Sequence, residues 1–434
     1  MIPLFTPATA RKDVNKVQGD GELAKLANLN RLVENVNTVI ANGIPAAAPS
    51  VTYTNVGTVD ELNISFGIAS NPQDAYNTGG SHTVQSYYVP TIVLEQSNAT
   101  FNAFTSFTLP ETVFGGHIQI TNDYLTTFSA PLLTQLLTKE LNSNNSLVIG
   151  SPVFSSISLP ELSYALGQIS IYAPAATTIS LPKLAYTSSV VIDCDFDTGG
   201  DLTTVSLPLC NSNITIRNAQ QLTSVVTGNT QCSLELIDCP AFDTLTTSAT
   251  TVWFTAISQG GSGSSELTTV NALNATDVTL DPFYGSSLSL PSATTINLNW
   301  VNAPSSISFS CPNLTDVTIT FRDSSTTSLT MPSTIVNYEN INIQDNASLT
   351  SLSLGVIGTV KAVNDGQVLA YNNALDAASI NGILALFVSL DGTNGTTLFD
   401  QTIWLQGGTN AAPTGQGLID KATLQARGCT VETN

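Results

Sequence analysis

The run Asp193-Cys-Asp-Phe-Asp197-Thr-Gly-Gly-Asp201 places four carboxylates within nine residues and is the densest set of prospective ligands in the chain. If the preceding Val190-Val-Ile192 continues as a strand, Ile192, Cys194 and Phe196 face one side, and Asp193, Asp195 and Asp197 face the other. Three carboxylates on one edge suit a hard divalent cation such as calcium. A calcium loop of the twelve-residue type requires Gly at its sixth position and Glu at its twelfth, where this run has Thr198 and Thr204. A solvated acidic turn is therefore the simpler reading, with calcium as the one cofactor to be tested.

Acid–base chemistry has few other candidates. His82 and His117 are the only imidazoles, neither stands beside an evident nucleophile, and His117 in Gly116-His-Ile-Gln-Ile120 reads as a structural strand residue. The chain has no nucleophile elbow, phosphate-binding loop, zinc-protease motif or dinucleotide fingerprint. Its six cysteines, Cys194, Cys210, Cys232, Cys239, Cys311 and Cys429, form no C-x-x-C pair. Several fall in apolar slots of a repeat, which points to buried free thiols. A polysaccharide-cleaving protein would need two or three acids converging on one face, whereas the outward slots here are mostly Ser, Thr or Asn. The expectation is a protein without catalytic residues.

The elements that must carry these residues are announced by a recurring cassette: apolar, Ser/Thr, Ser/Thr, apolar, x, apolar, Pro. It reads Phe154-Ser-Ser-Ile157-Ser-Leu159-Pro160, then Ala176-Thr-Thr-Ile179-Ser-Leu181-Pro182 and Leu202-Thr-Thr-Val205-Ser-Leu207-Pro208, with partial copies before and after. Self-similarity at roughly 20 to 30 residues marks a solenoid, whose units bury their apolar faces only by stacking on one another. Between the cassettes lie further apolar-x-apolar triplets, such as Ile169-Ser-Ile171, Ile214-Thr-Ile216 and Val317-Thr-Ile319. Two short strands per coil, with alternate side chains pointing into a shared core, account for this spacing. Ile179, Leu181, Val205 and Leu207 should be buried, and Thr177, Thr178, Thr203 and Thr204 exposed or in turns.

Composition agrees with a β protein whose surface is built from hydroxyls and amides. Only 10% of the 434 residues are charged, and the net charge is −20, which opposes binding to nucleic acid or anionic membranes. No apolar run reaches membrane-spanning length, and Met-Ile-Pro-Leu-Phe-Thr-Pro lacks the basic and apolar regions of a secretory leader. Neither membrane insertion nor conventional export is expected.

Four segments follow. Residues 1–50 hold a helical stretch over 20–40 in which Leu26, Leu29, Val33, Val36 and Ile40 are spaced as a heptad seam, followed by a Pro/Ala linker. An ordinary amphipathic helix fits the same spacing; a homotypic bundle, such as a trimer, would use it for oligomerisation. Residues 51–104 read as a small β region or the first irregular coils, residues 105–373 as the solenoid body, and residues 374–434 as a small α/β cap. In the cap, helices over 376–390 and 414–426 alternate with strand-like 402–405 and 429–431.

Leu202-x-x-Val205-x-Leu207-x-x-Cys210 and Leu349-x-x-Leu352-x-Leu354 resemble the irregular, Thr/Ser-rich leucine-rich repeats of the L-P-x-L type found in surface proteins of Bacteroidetes-type bacteria and their phages. The resemblance implies a leucine-rich-repeat-like β-solenoid, mainly β, with an N-terminal helix and a terminal element over 405–431 that seals its open end. Most units lack the Asn/Cys of that frame, so a flatter, β-rich coil is expected in place of a horseshoe with outer helices. The stretch Arg11-Lys-Asp-Val-Asn-Lys-Val-Gln-Gly-Asp20, with the helix that follows, resembles N-terminal anchoring segments of virion proteins from phages of such hosts. Together these resemblances imply a virion structural protein, a head or tail fibre or a capsid-decorating protein. It would be held to other virion proteins by its N-terminus and would offer its repeats to a host-surface glycan or protein. A bacterial surface adhesin, and then a fibre-borne depolymerase, are the competing expectations.

Overall fold

A computed structural model of the chain describes residues 62–66, 80–83, 88–96, 104–110, 112–121, 123, 125–137, 144–194, 200–228, 230–257, 266–335, 337–355, 367–390 and 402–434. The protein is mainly β, coiled as a parallel β-solenoid of about ten turns, and the described residues include two short α-helices. It divides into two compact units, Met1–Asp193 and Cys194–Asn434. The helical seam Leu26, Leu29, Val33, Val36 and Ile40 lies outside the described residues.

In the first unit, a ladder of longer strands runs from Leu62–Phe66 through Tyr88–Gln96, Phe114–Thr121, Asn145–Gly150 and Gln168–Tyr172 to Ser189–Asp193, each parallel to the next. Shorter strands pair separately: Phe104–Thr108 with Gly80–Thr83 on one side and Thr127–Ser129 on the other, and Ser156–Ser158 with Thr178–Ser180.

The second unit repeats the scheme. Its long wall runs in parallel register from Asn213–Arg217 through Gln231–Ile237, Thr251–Ile257, Asp277–Phe283, Thr295–Val301, Asp316–Arg322 and Asn337–Gln344 to Gln367–Leu369 and Thr402–Leu405. Its short wall is broken into three sheets. Four strands from Thr204–Ser206 to Thr269–Asn271 form the first, Ser287–Ser289 with Ser308–Ser310 the second, and Ser328–Thr330 with Ser351–Ser353 the third.

Sequence dictates both walls. Three-residue strands such as Thr178–Ser180 and Ser328–Thr330 bury only the middle residue, as a period of two requires. They end at once because the cassette proline occupies the second position of a turn. Leu184 N–H donates to the Leu181 carbonyl at 3.2 Å, Ala293 to Leu290 at 3.2 Å and Leu314 to Cys311 at 3.1 Å, with Pro182, Pro291 and Pro312 supplying the fixed φ that this position favours. The long strands differ from the expected short ones because alternation runs uninterrupted for up to seven residues, as in Asp316–Arg322. They stop where the chain enters the left-handed region at Asn218, Asp238, Asn302, Asp323, Asp345 and Asn372, with φ between 52° and 59°. Asn and Asp tolerate that conformation better than other side chains bearing a Cβ.

The next residue at each corner turns inward: Ala219, Cys239, Ala303, Ser324, Asn346 and Asn373 are all buried. Ile179, Leu181, Val205 and Leu207 are buried as well, while Thr177, Thr178 and Thr203 are exposed and Thr204 is half-buried. Trp300 centres an aromatic cluster, the largest among the described residues, its ring edge-on to Phe283, Phe309 and Phe321 at 5.4 to 6.0 Å.

Helix α1 (Ala377–Leu390) covers one edge of the short wall, with Ser379 Oγ accepting the Leu352 N–H at 3.1 Å. Helix α2 (Gln416–Ala426) packs beside it, and the final strand Thr430–Thr433 pairs with Thr402–Leu405.

Candidate functional site

Asp193 ends the strand Ser189–Asp193 between buried Ile192 and Cys194. Its register partners are Tyr172 and, two strands away, Gly150, which pairs in turn with Thr121. Together with Asp123 these residues line a groove of about 380 Å³. Asp195 and Asp197 lie outside the described residues. Among the described residues no three His, Cys, Asp or Glu side chains gather where they could hold a metal ion.

His117 is buried, and its Nδ1 donates to the Asn145 carbonyl at 2.9 Å, a bond across to the neighbouring coil. His82 falls within the strand Gly80–Thr83. All six cysteines are buried free thiols. Burial pushes Cys232 and Cys311 up to about 11, which suits packing and disfavours nucleophilic chemistry.

The side chain that stands out is one that composition and motif searches pass over. Trp253 lies in the strand Thr251–Ile257 between buried Val252 and Phe254, and is 58% exposed on the outward face of the long wall. Its Nε1 donates to Thr255 Oγ1 at 3.2 Å, which holds the indole along its own strand. Its row continues as Ser233 on one side and Thr279, Asn297 and Thr318 on the other.

The adjacent outward row contains Thr215, Glu235, Thr255 and Asp281 in successive strands. Glu235 and Asp281 therefore flank Thr255 with their backbones two strand spacings, or about 10 Å, apart. Glu235 Oε2 accepts from Thr215 Oγ1 at 3.1 Å, and Asp281 Oδ1 accepts from Asn299 Nδ2 at 2.6 Å. One oxygen of each carboxylate is thus fixed by the wall itself, and the second can accept from a ligand. An aromatic face beside fixed carboxylates and hydroxyls can stack on the apolar face of a sugar ring and accept bonds from its hydroxyls. The signal for Trp253 was present in Val252-Trp-Phe254, a large aromatic in the polar phase of an alternating strand. Its union with Glu235 and Asp281 depends on coil lengths that only the register reveals.

A second aromatic feature belongs to the first unit. Tyr164 and Tyr186 stack with centroids 4.9 Å apart and planes 9° apart, alongside the exposed ion pair of Lys183 and Glu161. Burial, and then the neighbouring Tyr186, raise the Tyr164 hydroxyl above its ordinary value. Each ring covers a face of the other, so the pair offers a ligand less aromatic surface than its size implies. No known protein family, curated protein or solved structure matches the chain.

Proposed function

We propose that the protein is an adhesive solenoid that binds a neutral or amine-bearing surface polysaccharide along the outer long wall of its second unit, without cleaving it. The observation that carries this reading is the indole of Trp253, the most exposed of the three tryptophans, fixed by Thr255 and set among rows of Ser, Thr and Asn. Individually shallow contacts of this kind gain strength when several copies are displayed together. A net charge of −20 repels polyanionic glycans and narrows the ligand class accordingly.

In the same proposal the chain is a phage virion structural protein, a head or tail fibre or a capsid-decorating protein, with leucine-rich-repeat-like coils. Residues 1–50 anchor it to other virion proteins, and the seam Leu26, Leu29, Val33, Val36 and Ile40 gives the homo-oligomer. Support comes from the sequence resemblances and the hydroxyl-rich repeat surface; a bacterial surface adhesin is the competing setting. Mass spectrometry of purified virions decides the setting. Affinity electrophoresis in gels containing host polysaccharide tests the binding: retardation by the native chain, abolished in Trp253→Ala, is expected, and equal mobility of the two would refute the glycan site.

One observation favours a second reading, a depolymerase. Two carboxylates about 10 Å apart at the backbone can bring their oxygens into the range used by inverting glycosidases. New reducing ends released by the native chain, and lost in both Glu235→Gln and Asp281→Asn, would establish cleavage.

A further inference from the structure

The short wall of the second unit is interrupted between Ser308–Ser310 and Ser328–Thr330. The coils that carry these strands stay joined at both ends of the interruption. On one side Ser325 N–H donates to the Ala303 carbonyl at 3.0 Å, and on the other Asp316–Arg322 pairs with Asn337–Gln344. Between those joints lies a groove of about 800 Å³ lined by both strands, within the size range of ligand sites.

Main-chain polarity shows what the groove lacks. Ser308 N–H donates to the Ser286 carbonyl at 2.8 Å, and the Ser310 carbonyl accepts from Leu290 N–H at 3.1 Å, so both residues direct their main-chain groups away from the groove. Successive residues of a strand point to opposite edges, and the N–H and carbonyl of Phe309 therefore face into it. Across the groove, the Thr327 carbonyl accepts from Ser351 at 3.1 Å and Met331 N–H donates to the Ser353 carbonyl at 2.9 Å. Ser328 and Thr330 consequently turn their main-chain groups back toward Phe309, the Ser328 carbonyl keeping one lone pair for an incoming donor while it accepts from Thr326 Oγ1 at 3.2 Å. Two strand edges thus confront one another with donors and acceptors in alternating phase.

The side chains specify the occupant further. Phe309 is half-buried where its wall counterparts Leu288 and Leu329 are buried, so the groove has an apolar floor at the level of the wall's central row. Apart from the Cys311 thiol, no lining side chain ionises.

We infer that this groove accepts an extended, uncharged peptide segment of a partner protein as an inserted strand, small or hydroxyl-bearing at its outward positions and apolar at the residue that meets Phe309 and Leu329. Strand addition of this type draws its affinity from main-chain bonds on both edges and its selectivity from the inward side chain.

The test uses the full chain and a fluorescein-labelled peptide, Gly-Thr-Ser-Leu-Thr-Gly with blocked ends. Saturable binding is expected. N-methylation of the peptide at Leu, which removes a main-chain donor without altering the protein, should weaken it about tenfold or more, and Phe309→Ala should weaken it as well. Hydrogen exchange gives an independent readout: the Phe309, Ser328 and Thr330 amides should exchange quickly in the free chain and slowly with peptide bound. Protection of those amides in the free chain, equal binding of the N-methylated peptide, or no binding would overturn the inference. Concentration-dependent dimers that the peptide dissolves would assign the groove to a second copy, and displacement of the peptide by an oligosaccharide would assign it to a glycan; either result replaces the partner-peptide assignment.

Discussion

The side-chain oxygen of Asn373 accepts two hydrogen bonds from Asn346 of the preceding coil, one from its backbone N–H and one from Nδ2, both at 3.0 Å. Asn346 Nδ2 also reaches the Gln344 carbonyl at 2.8 Å and the Phe321 carbonyl at 3.1 Å, and its oxygen accepts the Ser324 N–H at 2.9 Å. Asn373 Nδ2 closes on the Ile343 carbonyl at 2.8 Å. A buried amide placed in this way satisfies the main-chain groups that each sharp corner would otherwise strand inside the core.

Asn346→Leu should therefore cost on the order of 3 kcal/mol, because it strands several buried donors and acceptors at once. Asn340→Thr, on the exposed outward row of the neighbouring strand, should fall within about 0.5 kcal/mol of the native chain. Urea unfolding followed by circular dichroism checks both. Equal losses would mean that the ladder is not what holds the corners.

The phase of the short wall can be tested within a single strand. Ile179 is buried and Thr178 beside it exposed, so Ile179→Ala should cost about 2 to 5 kcal/mol and Thr178→Ala well under 1 kcal/mol. The same urea titrations report the difference.

That phase could be read from the chain because the cassette places Ser or Thr on either side of one apolar residue and then ends the strand with Pro. The helix Ala377–Leu390 was legible for a similar reason, since Ile380, Ile383, Leu384 and Phe387 recur at helical spacing and are buried. Side chains brought together between coils were not legible. The coil step is 18 residues from Asp281 to Asn299 but 27 from Asn346 to Asn373, so no fixed period aligns the outward rows. Trp253, Glu235 and Asp281 become neighbours only through the register. The Asn and Asp corners escaped notice for a different reason: such residues are common throughout the chain, and only their position after a long strand makes them turn-formers.

Stability should fall at alkaline pH. Burial raises the Cys232 and Cys311 thiols from 9.0 to about 11, so between those values the unfolded chain gives up protons that the folded chain keeps. The stabilisation is complete below the unfolded value and is lost as pH climbs through the folded one, on the order of 2 kcal/mol for each thiol. Melting temperatures between pH 8 and 11 should decline, and the double variant Cys232→Ala, Cys311→Ala should show a shallower slope. An unchanged slope would locate the alkaline transition elsewhere.

The C-terminal cap should weaken in acid. Asp376 Oδ1 accepts the Ser379 N–H at 2.7 Å at the start of α1, and bonds from Ser379 hold the Asp376 carboxyl below its ordinary value. The stabilisation is present above the ordinary carboxylate range and disappears as pH falls through the depressed value. Asp376→Ala should cost about 1 kcal/mol at neutral pH. Ser379→Ala should cost about 1 to 3 kcal/mol, because it leaves the buried Leu352 N–H without its acceptor beneath α1. Urea unfolding at neutral and acid pH distinguishes the two variants, since the loss from Asp376→Ala should shrink in acid as the native carboxylate protonates.

Trp253 should report ligand directly, because the three tryptophans occupy different environments: Trp253 is 58% exposed, Trp404 38% and Trp300 0%. Acrylamide should quench a large component of the emission, and Trp253→Phe should remove most of it. If a polysaccharide stacks on this indole, adding it should shield that component in the native chain and leave the residual quenching of Trp253→Phe unchanged. The stacked Tyr164 and Tyr186 supply the control, since a glycan bound there would leave Trp253 quenching untouched while Tyr186→Ala lost retention in affinity gels. The two aromatic features belong to different units, so loss of binding in only one variant identifies the unit that carries the adhesive surface.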